Sequence, residues 1–128
     1  MDEQKTKELV EAFPQLWGGL RGGAFECGDG WYTLIRAASD ALRDRARCEG
    51  FVIVKEKFGR LEIQGLRPVE GEDYSYILGV TTMAMLVSLS TCEQCGASSG
   101  ERRGGSYIQT LCEDCYEPDT DDGWGDEG

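Results

Sequence analysis

Two Cys-x-x-Cys pairs, in "TCEQCG" (Thr91–Gly96) and "LCEDCY" (Leu111–Tyr116), lie sixteen residues apart in the C-terminal part of this chain. A Cys-x-x-Cys turn aims two sulfurs to one side of a tight loop, and a glycine often follows the second cysteine, as Gly96 does here. Two such turns facing one another complete a tetrahedron with metal–sulfur distances of about 2.3 Å. The spacing lies in the range of four-cysteine zinc sites. It predicts one structural Zn2+ held by Cys92, Cys95, Cys112 and Cys115. Four sulfur donors leave no coordination position for water or substrate. Two disulfides or four free thiols are the competing readings. A thioredoxin-type redox pair is disfavoured, because such a motif follows a strand and opens a helix.

Composition supports this reading. The N-terminal stretch mixes both charge signs and has no apolar signal core, so no secretion signal is expected and the expected compartment is the cytoplasm. Cysteines there serve as ligands or free thiols more often than as disulfides. The two remaining cysteines, Cys27 and Cys48, are therefore expected to be buried free thiols, with a mutual disulfide as the alternative. The stretch 74–89 is too polar for a membrane span, which needs about 20 apolar residues.

The chain carries a net charge of −11, spread unevenly. Residues 1–91 hold 14 acidic and 11 basic side chains; residues 92–128 hold 10 acidic and 2 basic. The last twelve residues, EPDTDDGWGDEG, contain six carboxylates and no base. Nucleic-acid binding draws on basic surface that displaces counterions from phosphate. This balance speaks against it.

The pattern along the chain predicts an α+β fold: a small helical and β-hairpin core over 1–90, a zinc-ribbon-like module over 91–116, and an acidic, flexible tail over 117–128. Apolar spacing places helices over 2–12, 30–48 and 74–89. Pro14 and Gly18–Gly19 end the first. Asp29 is expected to cap the second and Gly50 to stop it. The alternating "FVIVKEKF" and "LEIQGL", joined at Gly59–Arg60, predict a hairpin. The third helix is the most apolar element, and Met83 and Met85 are expected to fill the core beneath it. "SYIQTL" is expected to be a strand leading into the second knuckle.

Candidate functional residues outside the knuckles are few. The chain has no histidine, which removes the commonest general base and every Ser-His or Cys-His pair. Cys27 and Asp29, just before a helix, form one candidate centre for an enzyme or small-ligand site, since a helix N-terminus lowers a thiol pKa. A capping role for Asp29 is the plainer account. Lys55, Lys57 and Arg60 near the hairpin tip form a possible anion contact, with a solvated face as the alternative. Together with Arg102 and Arg103 they define a nucleic-acid-binding zinc-ribbon regulator as a rival function. In the tail, an aromatic among carboxylates suits docking on a basic partner, which assigns Glu117, Asp119, Asp121, Asp122, Trp124, Asp126 and Glu127 to partner binding.

Three motifs in fixed order, "CGDGWYTLIRAASDAL", "VKEKFGRLEIQ" and "TCEQCG…TLCEDC", resemble a group of small phage and prophage proteins. These share a Cys-Gly-Asp-Gly-Trp turn, a Val-Lys-Glu-Lys-Phe-Gly hairpin and a terminal zinc-knuckle pair. The resemblance covers residues 25–116. Members often close the metal site with Cys-x-x-His, where this chain has Cys115. The resemblance implies a phage setting, and with it the cytoplasm of a host cell. By analogy with other small acidic phage proteins, it implies a non-enzymatic accessory protein that binds and modulates a host macromolecular complex. An inhibitor of a defence or nucleic-acid-processing complex is the expected form.

Overall fold

The computed structural model describes residues 1–117 and has the expected α+β architecture. Helix α1 (Glu3–Ala12) begins at Asp2, whose carboxylate accepts the backbone N–H of Lys5 at 2.8 Å. Pro14 does not simply end this helix. It opens a second, one-turn helix α2 (Pro14–Trp17), where a missing N–H costs nothing because first-turn donors have no intrahelical acceptor. After the glycine-rich link, a 3-10 turn over Asp29–Trp31 leads into α3 (Tyr32–Leu42).

Helix α3 stops at Leu42, six residues short of the expected end, and Cys48 and Gly50 lie inside strand β1 (Ala46–Lys57). That strand pairs antiparallel with β2 (Arg60–Pro68), from Ala46 opposite Pro68 to Lys57 opposite Arg60. The register shifts between Cys48 and Ile53. The other edge of β1 is covered by the glycine-rich link: Val52 donates to the carbonyl of Gly19 at 2.9 Å, and Glu26 donates to that of Val54 at 2.8 Å. A segment expected to be only a connection thus acts as a third, irregular strand.

Helix α4 (Asp73–Ser88) packs against β2 and α3. Strands β3 (Glu101–Arg103) and β4 (Gln109–Leu111) form a small second hairpin, shorter than "SYIQTL" suggested.

The main core gathers α1, α2, α3, β1, β2 and α4 around Phe13, Trp17, Phe25, Trp31, Ile35 and Leu42, all buried. Both buried tryptophans find acceptors for their indole N–H, as a polar group removed from water must. Trp17 Nε1 donates to Ser39 Oγ at 3.0 Å, and Trp31 Nε1 donates to the Thr91 carbonyl at 2.8 Å. Ser39 hands the bond on to the Ile35 carbonyl at 2.7 Å.

Met83 is 60% exposed, against the expectation that it fills the core, and Met85 is half-buried. The buried stripe of α4 consists instead of Asp73, Ile77, Ala84 and Ser88. Among the described residues no helix is long and apolar enough to cross a membrane.

The hairpin turn falls on Phe58–Gly59, one residue earlier than expected, and both residues have positive φ, 53° and 85°. This is the backbone of a type I′ turn, which suits the twist of the flanking strands but favours Asn-Gly. A bulky L-residue in that conformation costs about 1–2 kcal/mol. Phe58 is mostly exposed, so its ring recovers little of that cost. Replacement Phe58→Asn is therefore expected to stabilise the chain by roughly 1 kcal/mol. Urea unfolding with the metal bound checks this; an unchanged or lower midpoint would contradict it.

Candidate metal centre

The two knuckles are built from backbone hydrogen bonds that turn the four sulfurs toward one another, with Cys92 and Cys112 buried, Cys115 half-buried and Cys95 exposed. Cys92 N–H donates to the Ala97 carbonyl and Gly96 N–H to the Cys92 carbonyl, at 2.8 and 2.9 Å. Across from them, Cys115 and Tyr116 donate to the Cys112 carbonyl at 3.2 and 3.0 Å. All four sulfurs lie within 4.8 Å of one another, and Cys95 and Cys112 are 3.7 Å apart. Sulfurs 2.3 Å from a tetrahedral ion sit about 3.8 Å from one another. The four cysteines predicted from spacing therefore converge with the dimensions that an ion such as zinc requires. No disulfide joins any of the six cysteines.

Local electrostatics favour a bound cation. Burial opposes ionisation of Cys92, yet backbone N–H groups of Cys112, Cys95 and Gln94 converge on its sulfur and hold the thiol down at about 6. The neighbouring Cys112 thiol, more than burial, pushes Cys115 the opposite way. Sulfurs this close cannot all be anionic without a positive charge between them.

What the sequence did not reveal is how the knuckles are held to the core. The Cys-Gly-Asp-Gly-Trp turn lies directly on the first knuckle. Gly30 N–H donates to the Glu93 carbonyl at 2.7 Å, and Gly28 N–H donates to Glu93 Oε2 at 2.9 Å. A Cβ at Gly30 would stand 2.2 Å from the Cys92 carbonyl oxygen, so only glycine fits. On the other side sits the hairpin tip. Thr110 Oγ1 donates to the Gly59 carbonyl, and Arg102 Nε donates to the Phe58 carbonyl at 3.0 Å. The turn, the hairpin and the knuckles, far apart in sequence, are one cluster in space. Their only shared signal in the sequence was glycine density at all three places.

Glu93 is buried within this junction, and its Oε1 has no hydrogen-bond partner among the described residues. Burial raises its carboxyl above the usual range, with the Gly28 N–H acting in the opposite sense.

The remaining candidates are placed as follows. Asp29 does not cap α3; its carboxylate accepts the Asp2 N–H at 2.8 Å. Burial pushes the Cys27 thiol up to about 12, the reverse of an activated nucleophile. Cys48 is half-buried. Lys55 lies opposite Glu62 in the sheet, Arg60 is 3.2 Å from Glu62, and Lys57 lies 6.0 Å from the centre of the Phe58 ring. Arg103 donates to the Leu111 carbonyl at 2.8 Å and stacks on Tyr116. Both arginines of the ribbon thus bond to backbone carbonyls within the chain. Glu117 is exposed, and Asp119, Asp121, Asp122, Trp124, Asp126 and Glu127 lie outside the described residues.

The fold and this centre define an α+β protein with a four-cysteine cluster able to hold a metal ion. Comparison with protein-family models, curated proteins and solved structures finds no match to this chain.

Elemental analysis of purified protein is expected to show one zinc per chain, and cobalt substitution to give the intense visible bands of a tetrathiolate. Cys112→Ala should abolish stoichiometric binding and lower thermal stability by several kcal/mol; an unchanged metal content would refute the site. Cys27, by contrast, should resist alkylation in the folded protein at neutral pH and react only on unfolding. Its thiol ionises near 12 when folded and near 9.0 when exposed, so its contribution to stability is complete below pH 9 and is lost as pH rises towards 12.

Proposed function

We propose that this chain is a non-enzymatic, zinc-stabilised accessory protein of phage type. It binds a host macromolecular complex and inhibits it, and a defence or nucleic-acid-processing complex is the proposed target. The supporting observation is the donor set: four converging sulfurs form a closed ligand sphere whose role is to hold shape. The other thiol considered for chemistry, Cys27, is buried and held protonated.

Charge supplies the mode of binding. At −11 overall, with the densest acid beyond the second knuckle, the chain suits a basic groove of the kind that otherwise receives nucleic acid. Carboxylates there steer the encounter, and Trp124 offers apolar area. A metal ion held by the four sulfurs would fix Cys115, two residues before Glu117.

The test is a pull-down from bacterial lysate with tagged full-length chain and with a form lacking 117–128, each at low and high salt. The proposal expects a discrete partner whose capture falls about tenfold or more at high salt and on deletion. Capture indifferent to both would reject the electrostatic mode.

A further inference from the structure

Helix α4 is built inside out. Its buried stripe is the smaller and more polar one, while Tyr74, Leu78, Met83, Leu86 and Val87 are each between 42% and 62% exposed. From Tyr74 to Cys92 the sequence contains no Asp, Glu, Lys or Arg, in a chain that is 29% charged overall. A helix apolar all round is one covered all round. An apolar groove of about 530 Å3 runs beside the open face, between α4 and α3, walled by Leu34, Ala37, Ala41, Val80 and Met83.

The open face carries its own recognition pattern. Tyr76, Gly79, Met83 and Leu86 recur at intervals of three, four and three, the a and d positions of a helix–helix seam. Laid antiparallel against its own copy about a two-fold axis, this stripe sets Gly79 opposite Met83 and Tyr76 opposite Leu86. The smallest residue of the seam then receives a long, pliable side chain, twice over. Gly79 has no internal reason to be glycine: a Cβ there would meet no atom within 4 Å, and its φ is not positive. The room it leaves lies outside the monomer. Tyr76 is already set in place, with its hydroxyl donating to the Ala41 carbonyl at 2.8 Å and Arg45 lying 4.3 Å from its ring centre.

We propose that the α4 face is the interface of a homodimer, with α4 crossing its copy antiparallel and Met83 of each chain seated over Gly79 of the other. Tyr76, Met83, Leu86 and Val87, with Ser75, Thr82 and the open part of α3, form one continuous uncharged patch; a standard-size interface takes about 800 Å2 from each partner. An isologous contact needs a patch that is its own complement, and this one supplies both knob and hole. It is also free of charge, so two chains of −11 meet where their repulsion is weakest. Added salt should strengthen this association, the opposite of its effect on the partner binding proposed above, so the two ideas stand or fall separately.

Sedimentation velocity on the zinc-bound full-length chain provides the test. The expected species has twice the 14.1 kDa of one chain, and its population rises with salt. Met83→Glu and Gly79→Lys, both at positions with open space, should each leave a folded monomer with unchanged zinc content. Mixed together, they should recover a dimer, because the new charges face each other across the seam. A wild-type chain that stays monomeric at about 200 μM, far above the Kd of a standard-size interface, overturns the proposal. So does a dimer that survives Met83→Glu. If each variant is monomeric alone but the mixture fails to pair, the antiparallel register is overturned.

Discussion

The backbone of Gly30 against the carbonyls of Cys92 and Glu93 is the contact on which the arrangement of this protein turns. It brings a turn that opens one core helix to the loop that carries the first two sulfurs, at a distance no side chain would allow. The Trp31 indole follows directly, buried on the core side and hydrogen-bonded to Thr91 on the knuckle side. Hairpin tip and ribbon close the opposite flank through Thr110 and Arg102. The junction is made largely of backbone carbonyls and amides, which are directional and unforgiving of displacement. It therefore ties the positions of the knuckles and of the core to one another.

The order of the knuckles has to come from somewhere other than apolar packing. Among the described residues the ribbon's own cluster contains only Cys92, Leu111 and Cys112 as buried apolar residues, too little to order its loops. A metal ion supplies folding free energy where a core cannot. The same ion would neutralise sulfurs that backbone N–H groups already bias toward ionisation at Cys92. The amide turns place the four sulfurs, and an ion held there would in turn stabilise the turns.

How much of this was legible in the sequence depends on the range of the forces involved. The knuckles were legible because chelation by a Cys-x-x-Cys turn is local. The β1–β2 hairpin was legible because alternation survives over "FVIVKEKF". The run from Arg43 to Cys48 was misread as helix: it is rich in Arg, a good helix former, and only its pairing with Leu66, Arg67 and Pro68 makes part of it strand. Pro14 was read as a stop, although a proline starts a helix as readily as it ends one. The docking of turn on knuckle was invisible, since glycine marks a close approach without saying to what. The orientation of α4 was hidden for a related reason. Both of its faces are apolar, so spacing alone cannot tell which one meets the core, and Met83 was assigned to the wrong side.

The open face of α4 and the acidic segment also separate two kinds of association that a single acidic surface would confuse. Acid concentrated beyond the second knuckle can act only on something basic, because a chain at −11 repels another like it. The α4 face can act only on something apolar and similarly shaped, because no charge is available there to choose a partner. Contacts of the first kind are fast, long-ranged and salt-sensitive; contacts of the second kind are short-ranged and depend on fit. A dimer joined through α4 would present two acidic segments at once, and two weak electrostatic contacts on one target raise the effective concentration of the second. Pairing through the uncharged face of α4 would thus let a small, strongly acidic chain gain avidity without having to overcome its own repulsion at the point of contact.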